Sequence, residues 1–170
     1  MTSEACWVVV SVGRHIISLM EESRLEGKRN FRLSVDQFHQ VVLSFAPWCF
    51  PGISVSSEKI VVWGGVDLYL FDFRNDNLLS FELNDEIFTV YAVGRIWCLV
   101  CELSVVLFDL ESGQELSRFE HDEVILKNWW SDNNLVLEDF EGKRFYLDID
   151  LESLKLIAVQ RHEGKSPRQE

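Results

Sequence analysis

The sequence predicts an all-β fold in which short antiparallel strands form one repeated unit. Three observations lead to this prediction. The central segments alternate apolar and polar residues with the two-residue period of strands, and they are rich in β-branched and aromatic residues. Closely spaced turn signals separate them, which favours antiparallel pairing because parallel strands need long crossovers. Finally, two short motifs recur at a nearly constant interval, which is typical of repeat architectures.

Ten strands are predicted in the central part of the chain, and Gly, Asn, Asp and Ser residues between them supply the turns. Their ranges are 59–63, 68–73, 78–83, 87–92, 95–101, 104–110, 115–119, 124–129, 135–138 and 144–149. Residues 1–55 are less regular. The apolar run near the start has the pattern of a strand, and Phe31–Leu33 and Val41–Phe45 have an extended pattern. His15–Leu25 is either a short helix or the second strand of a hairpin.

The repeat is visible in two motifs. Leu70-Phe71-Asp72-Phe73 matches Leu107-Phe108-Asp109-Leu110 and Tyr146-Leu147-Asp148-Ile149, so that the aspartates lie 37 residues (72 to 109) and 39 residues (109 to 148) apart. The run Phe81–Ile87 reappears in the same phase as Phe119–Val124. A period of this size built from short strands indicates the blades of a β-propeller. The three aspartates are expected to accept hydrogen bonds from the turn that follows each of them.

The run Val106–Leu116 resembles the hairpin of quinoprotein-type and WD-type β-propeller repeats, in which a strand ends in Asp and a Ser-Gly turn follows. The resemblance covers roughly residues 55–160. Because a closed ring typically has four to eight blades, it implies an open half-propeller of about three to four antiparallel blades. The Gly-His and Trp-Asp marks of WD repeats and the tryptophan pattern of quinoprotein blades are absent, so no cofactor is carried over.

These observations give the predicted domain organisation. Residues 1–170 form a single domain, in which 1–55 are an N-terminal cap or partial blade. Residues 56–160 are the propeller-like repeats, and 161–170 are a flexible tail. An atypical cap is expected because repeat arrays need one at their ends.

The net charge of the chain limits the classes of partner that it is expected to bind. Sixteen basic and 28 acidic residues give a net charge of −12, which repels nucleic-acid phosphates and anionic membranes. We therefore expect binding to neither. The acidity either maintains solubility or steers association with a basic protein. The chain has no apolar run long enough to span a bilayer and starts without the pattern of a secretory signal, so a cytoplasmic location is expected.

The run Trp97-Cys98-Leu99-Val100-Cys101 raises the question of thiol chemistry. The segment has strand character, and residues three apart on a strand point to opposite faces. We therefore expect both thiols to be buried and inert, and we interpret Cys6 and Cys49 in the same way.

No phosphate loop, nucleophile elbow or metalloprotease motif is present. His121 is either a general base polarised by its acidic neighbours or a solvated loop residue, and the sequence favours the latter. Asp148, Asp150 and Glu152 alternate as the ligands of a calcium site would, but they lack a glycine loop of the EF-hand type. We predict that the chain is not an enzyme and has no metal and no cofactor.

Two acidic loops are the candidate partner-binding site. They occupy equivalent positions in the repeat, so both clusters should lie on the same rim and form a negative stripe. Trp130 adds an aromatic anchor of the type that dominates interfaces. The candidate residues are Glu82, Asp85, Glu86, Glu120, Asp122, Glu123 and Trp130.

Two functions follow from this reasoning. The first is an inhibitor that covers the active site of a basic protein. In size and charge the chain is similar to the bacterial immunity proteins that neutralise cationic nuclease toxins, and the acidic stripe would then mimic nucleic acid. The alternative is a propeller-like scaffold or adaptor subunit that uses an open blade edge, either to pair strands with a partner or to form a homodimer.

Overall fold

The computed structural model describes residues 7–25, 27–109 and 112–159. These residues form sixteen strands in four antiparallel sheets, and no helix occurs among them. Sheet A contains β1 (Trp7–Val12), β2 (His15–Leu25), β3 (Lys28–Val35) and β4 (His39–Phe45). Sheet B contains β5 (Gly52–Ser56), β6 (Lys59–Gly64), β7 (Asp67–Asp72) and β8 (Asn77–Glu82). Sheet C contains β9 (Ile87–Val93), β10 (Ile96–Cys101), β11 (Ser104–Asp109) and β12 (Glu115–Glu120). Sheet D contains β13 (Ile125–Ser131), β14 (Asn134–Asp139), β15 (Arg144–Asp150) and β16 (Lys155–Val159).

Each sheet is a meander in which consecutive strands pair, and the four sheets follow one another along the chain. The array is not closed into a ring. This confirms the prediction of an all-β, open half-propeller with antiparallel blades. The predicted flexible tail, 161–170, lies outside the described residues. No helix in the described part of the chain is long and apolar enough to cross a membrane.

The helix considered for residues 15–25 is wrong, and this segment is the second strand of a hairpin. Ile17 and Leu19 alternate into the core with exposures of 0% and 1%, as a strand requires. The alternation then breaks at a bulge between Glu21 and Ser23. The residues around this bulge are acidic and polar, so the two-residue apolar alternation of a strand is not visible in this part of the sequence.

The ten predicted strands correspond to β6–β15 with ends that differ by at most two residues. Neither β5 nor β16 is among the strands predicted from the sequence. Together with the N-terminal strands, these two segments complete the blades, so residues 7–45 form a full four-stranded sheet.

The core lies between neighbouring sheets in three buried clusters. One joins sheets A and B, the second joins B and C, and the third joins C and D. Sheet C is therefore buried on both faces, which explains why every residue of β10 is buried and why its sequence is continuously apolar. Cys98 contributes to the cluster with sheet D and Cys101 to the cluster with sheet B. The two thiols point to opposite faces, as predicted.

The turn-capping aspartates are confirmed in two blades and corrected in a third. Asp72 accepts hydrogen bonds from the amides of Arg74 (3.1 Å) and Asn75 (3.3 Å), and Asp109 accepts one from the Ser112 hydroxyl at 2.7 Å. In sheet D the same role belongs to Asp150, whose Oδ2 accepts from the hydroxyl of Ser153 at 2.6 Å. Asp148 does not have this role, because β15 continues for two residues beyond Asp148.

Candidate partner-binding surfaces

Loops from successive sheets meet at one end of the array, here called the loop rim. It contains the connections β4–β5, β6–β7, β8–β9, β10–β11 and β12–β13. The Ile87 amide donates to the Gly65 carbonyl, the Glu102 amide to the Glu86 carbonyl, and the Ile125 amide to the Glu102 carbonyl, each at 2.8 Å. These bonds link the start of each blade to the turns of its neighbours, so the rim is a continuous surface.

The two predicted acidic loops do meet on this rim. Together with the β10–β11 turn they surround an open cavity of about 680 Å³, here called the acidic cleft. Of the predicted residues, Asp85, Glu86, Glu120 and Asp122 line it. Glu82 and Glu123 are exposed on the same loops but are not part of the lining.

One carboxylate of the acidic cleft was not found by sequence reasoning. Glu102 lies in the β10–β11 turn and lines the cleft, but this turn does not belong to the motif that repeats. The clusters on the β8–β9 and β12–β13 connections could be identified because they occupy equivalent positions in two blades. The position of the β10–β11 turn between these two connections depends on how the sheets pack, which the sequence repeat does not show.

Asp85 differs from the other carboxylates of the cleft because its oxygen is already bound. Its Oδ2 accepts hydrogen bonds from the Leu103 amide and the Ser104 hydroxyl, both at 2.9 Å. Arg118 also donates to the Ser104 hydroxyl, at 3.1 Å. Asp85 therefore fixes the β8–β9 loop onto the β10–β11 turn, and the exposed carboxylates of Glu86, Glu120 and Asp122 supply the accessible charge.

His121 is packed rather than solvated, contrary to the interpretation favoured from the sequence. Its side chain is 12% exposed, and its ring lies 4.2 Å from that of Phe145 in an edge-to-face contact. Its Nε2 lies 3.4 Å from Oδ2 of Asp139. Burial opposes ionisation of Asp139, but hydrogen bonds from the Lys143 amide, from His121 and from the Glu141 amide outweigh it and lower the pKa of this carboxyl. The contact joins the loop after sheet C to sheet D.

A second cavity on the loop rim is lined by aromatic side chains and was missed by sequence reasoning. This aromatic groove has a volume of about 370 Å³, and Trp48, Phe50, Trp63, Glu86 and Phe88 form most of its walls. Trp48 is 73% exposed, Phe50 75% and Phe88 38%. The aromatic residues come from three separate segments of the chain, so no local pattern predicts that they meet.

A buried arginine fixes the loop that presents Trp48 and Phe50. Arg29 is 2% exposed, donates to the Cys49 carbonyl at 2.6 Å and to Oε2 of Glu21 at 2.7 Å. Its guanidinium also lies 4.7 Å from the ring centre of Phe50. Hydrogen bonds from Arg29 and then from Arg24 lower the pKa of Glu21 to about 2, so this carboxylate stays ionised beside the buried cation.

Carboxylates surround the aromatic groove as well. Burial raises the pKa of the Cys49 thiol, and the negative charges of Glu86 and Asp67 raise it further. Burial also raises the pKa of Asp67, with a further contribution from the negative charge of Glu82. Glu86 and Asp67 are therefore close enough to act on the Cys49 thiol, as Glu82 does on Asp67.

At the open end of the array, the outward face of sheet A exposes three apolar side chains. Strand register places Val9, Ile16 and Val42 on the side opposite to the buried Ile17 and Leu19. Their exposures are 58%, 58% and 56%. Among the described residues, none of the buried clusters joins this face to another sheet.

The open end at sheet D is aromatic and charged. Register places Trp129, Val136 and Tyr146 in one row on the face that points away from sheet C. The guanidinium of Arg144 lies 5.5 Å from the ring centre of Trp129. Trp130, the predicted anchor, lies on the other face, where its ring contacts Tyr91 of sheet C at 5.7 Å while remaining 36% exposed.

The buried thiols are poorly suited to nucleophilic chemistry. Burial, and then the mutual charge effect of the pair, raises the pKa of Cys98 to about 12. Burial, followed by the charge of Asp85, raises that of Cys101 to about 12. Neither forms the thiolate that nucleophilic chemistry requires. Within the described ranges, no group of His, Cys, Asp or Glu is arranged to hold a metal ion.

Structural comparison supports the propeller-like arrangement. The chain is similar to the crystal structure of HIRA(644–1017), with a TM-score of 0.54, 11% identity and coverage of 92% of this chain and 53% of that one. It is similar to a chain of the mitotic checkpoint complex, with a TM-score of 0.61, 10% identity and coverage of 92% and 52%. It is also similar to the crystal structure of the computationally designed Ika4 protein, with a TM-score of 0.57, 10% identity and coverage of 85% of this chain and 92% of that one.

At these identities the likeness concerns the fold alone. The chain spans about half the length of the HIRA fragment and of the mitotic checkpoint complex chain. No protein-family model matches the sequence, and no curated protein matches it.

Proposed function

We propose that the protein is a propeller-like scaffold that binds a protein partner through the open end of its blade array. The observation that supports this proposal is the arrangement of the four sheets. Sheets B and C are each covered on both faces, whereas one face of sheet A and one face of sheet D are not joined to another sheet by any buried cluster of the described residues. In a propeller such a face normally packs against the next blade.

The side chains on the face of sheet A are suited to a contact. Val9, Ile16 and Val42 are more than half exposed and lie on three different strands of this face, where Ser18 pairs with Val9 and Arg32 pairs with Val42. Exposed apolar side chains on one face, with polar residues around them, are typical of interaction sites. On sheet D, Trp129 and Arg144 belong to residue types that are enriched among the side chains contributing most binding energy at interfaces.

The lengths of the two structurally similar natural chains agree with this proposal. The chain spans 53% and 52% of two longer propeller chains, so an array of four blades corresponds to about half of each. A partner that continues the array would bury both open faces. A second copy of this chain is one such partner, and a different protein is another.

A paired experiment tests the end-face contact. The double variant Ile16→Glu/Val42→Glu places two charges on the face of sheet A, and Phe38→Glu is the matched control because Phe38 is 87% exposed in the β3–β4 turn. The molar mass in solution is measured for each by light scattering. Tagged wild type, double variant and control are then used to capture partners.

We expect the double variant to lose the dimer or the captured partner while the control retains it. Equal retention by all three proteins would contradict the proposal. Far-UV circular dichroism and thermal unfolding of each variant show that the loss is not due to misfolding.

The second candidate function is the inhibition of a basic protein, such as a nuclease toxin, by an immunity protein. The observation that favours it is the meeting of the two predicted acidic loops in one cleft on the loop rim. For its test, five exposed carboxylates are changed to lysine and Asp85 is kept, since Asp85 fixes the loops. These residues are Glu82, Glu86, Glu120, Asp122 and Glu123.

This candidate predicts that the lysine variant loses a basic partner that the Ile16→Glu/Val42→Glu variant still binds. Association of the wild type should also slow as the ionic strength rises, because salt screens exposed charges. A partner that binds the lysine variant with unchanged affinity would exclude the acidic loops as the binding site.

A further inference from the structure

The aromatic groove and the acidic cleft are adjacent on the loop rim and share one wall. Glu86 lines both cavities. On one side of it lie Trp48, Phe50 and Phe88, and on the other lie Glu120 and Asp122. An apolar site therefore continues directly into a site with several negative charges.

We propose that the two cavities form one docking cleft for an extended segment of another protein, in which an apolar side chain is followed by lysine or arginine residues. The apolar side chain occupies the aromatic groove. The basic side chains extend past Glu86 into the acidic cleft. This surface lies on the loop rim, so the inference goes beyond the end-face scaffold and does not depend on it.

The walls of the aromatic groove are held in place before any ligand arrives. Arg29, buried beneath the β4–β5 loop, donates to the Cys49 carbonyl between Trp48 and Phe50 and pairs with Glu21. Binding then needs little ordering of the protein, which reduces its entropic cost. Exposed aromatic side chains on a fixed loop are the residues expected to contribute most binding energy.

A glycine allows the remaining aromatic wall to form. The ring of Trp63 lies against the backbone of Gly52, where an added Cβ would stand 2.3 Å from Trp63 Cζ2. Any larger residue at position 52 would displace this ring. Gly52 of β5 and Trp63 of β6 are paired, so the pairing of these two strands fixes the position of this aromatic wall.

The charges around the cleft determine the kind of segment that fits. Glu86 lies between the cavities, Asp67 and Glu82 are close to the aromatic groove, and Glu102, Glu120 and Asp122 line the acidic cleft. Lys28 is close enough for its positive charge to act on Asp67, but the two nearby arginines are already engaged. Arg29 pairs with Glu21, and Arg118 pairs with Glu115 at 2.6 Å.

A basic segment therefore finds the exposed carboxylates of Glu86, Glu120 and Asp122 at the cleft, whereas an acidic segment or a phosphate is repelled. Charge-assisted hydrogen bonds from Lys or Arg to these carboxylates would fix the direction of the bound segment.

Binding of a designed peptide tests the proposal. The probe is a fluorescein-labelled, amidated peptide in which one phenylalanine is followed by alternating arginine and serine, and its affinity is measured by fluorescence polarisation. We expect wild-type protein to bind it, and a peptide with serine in place of the phenylalanine to bind about tenfold more weakly. A peptide with glutamate in place of each arginine should not bind.

Protein variants locate the site. Trp48→Ser and Glu86→Lys should each weaken binding by about tenfold or more. Phe38→Ser and Glu58→Lys are matched controls in turns away from the loop rim, where Phe38 is 87% exposed and the Glu58 side chain 41% exposed. Both controls should bind as the wild type does.

The proposal is overturned if the probe does not bind at millimolar protein, or if Glu58→Lys weakens it as much as Glu86→Lys does. Unchanged binding by Trp48→Ser also overturns it. Each variant is first shown by circular dichroism to fold. Ile16→Glu/Val42→Glu should bind the probe normally, so the docking cleft and the end-face scaffold can fail separately.

Discussion

Replacing Arg29 by methionine should destabilise the protein far more than the same change at Arg24. Both arginines donate to Glu21, but their surroundings differ. The Arg29 side chain is 2% exposed and that of Arg24 is 62% exposed. The two substitutions therefore remove a similar ion pair from a buried and from an exposed position.

The expected magnitudes follow from burial. Without Arg29, the carboxylate of Glu21 loses its buried partner and the Cys49 carbonyl loses a hydrogen bond. Breaking one partner of a buried pair costs about 3–5 kcal/mol of unfolding free energy, whereas an exposed pair contributes about 0–1 kcal/mol. For a chain of this length, about 2–4 °C is lost per kcal/mol. The Tm of Arg29→Met should therefore fall by about 6–20 °C, and that of Arg24→Met by about 4 °C at most.

The assay is equilibrium unfolding in urea followed by tryptophan fluorescence, with thermal unfolding alongside. A Glu21→Leu/Arg29→Met double variant should recover part of the loss, because no unpaired charge then remains in the buried site. Equal stabilities of Arg29→Met and Arg24→Met would refute the reasoning. So would a double variant that is less stable than Arg29→Met alone.

Three further predictions concern other parts of the molecule. Because the pKa of Glu21 is lowered from 4.5 to about 2, its stabilising contribution is complete above about pH 4.5 and is lost as the pH falls towards 2; urea unfolding across this range should show a smaller loss for Glu21→Gln than for the wild type. Gly113→Ala should cost more than Gly94→Ala in thermal unfolding, because both glycines have positive φ (65° and 62°) but only at Gly113 would the added Cβ lie 2.6 Å from a phenylalanine ring. The thiols of Cys98 and Cys101, with pKa values of about 12, should resist a thiol reagent at pH 8 in the native protein and react in denaturant; rapid native reaction of either would contradict their burial.

The strands between residues 59 and 150 could be predicted because the turns between them are marked and their apolar residues are continuous or alternate. β5 was missed because it is only five residues long and directly follows Pro51, although Ile53-Ser54-Val55-Ser56 alternates as a strand does. β2 was ambiguous because Glu21, Ser23 and Arg24 lie around a bulge, and Glu21 and Arg24 form an i,i+3 ion pair of the kind common on helices.

The candidate site could be predicted only for the residues that belong to the repeated sequence motif. Glu86 and Glu123 lie at equivalent places in two blades, which correctly indicated that their loops share a rim. The aromatic groove has no such signal, since Trp48, Trp63 and Phe88 belong to different connections and strands. Their meeting depends on the packing of the β4–β5 loop against sheet B, which a buried arginine from sheet A controls.

The most direct test of the account is the distance between the two open faces, measured by double electron–electron resonance. Spin labels are placed at Val9→Cys on sheet A and Ile157→Cys on sheet D, with Cys6 replaced by serine and labelled protein diluted into unlabelled protein. An open array predicts a distance longer than about 20 Å, more than twice the ~10 Å spacing of packed sheets. Loss of the dipolar oscillation together with broadening of the continuous-wave spectrum would place the labels near the ~10 Å spacing of packed sheets and show that sheet D packs against sheet A. The ring would then be closed, and the protein would have no open end for a partner.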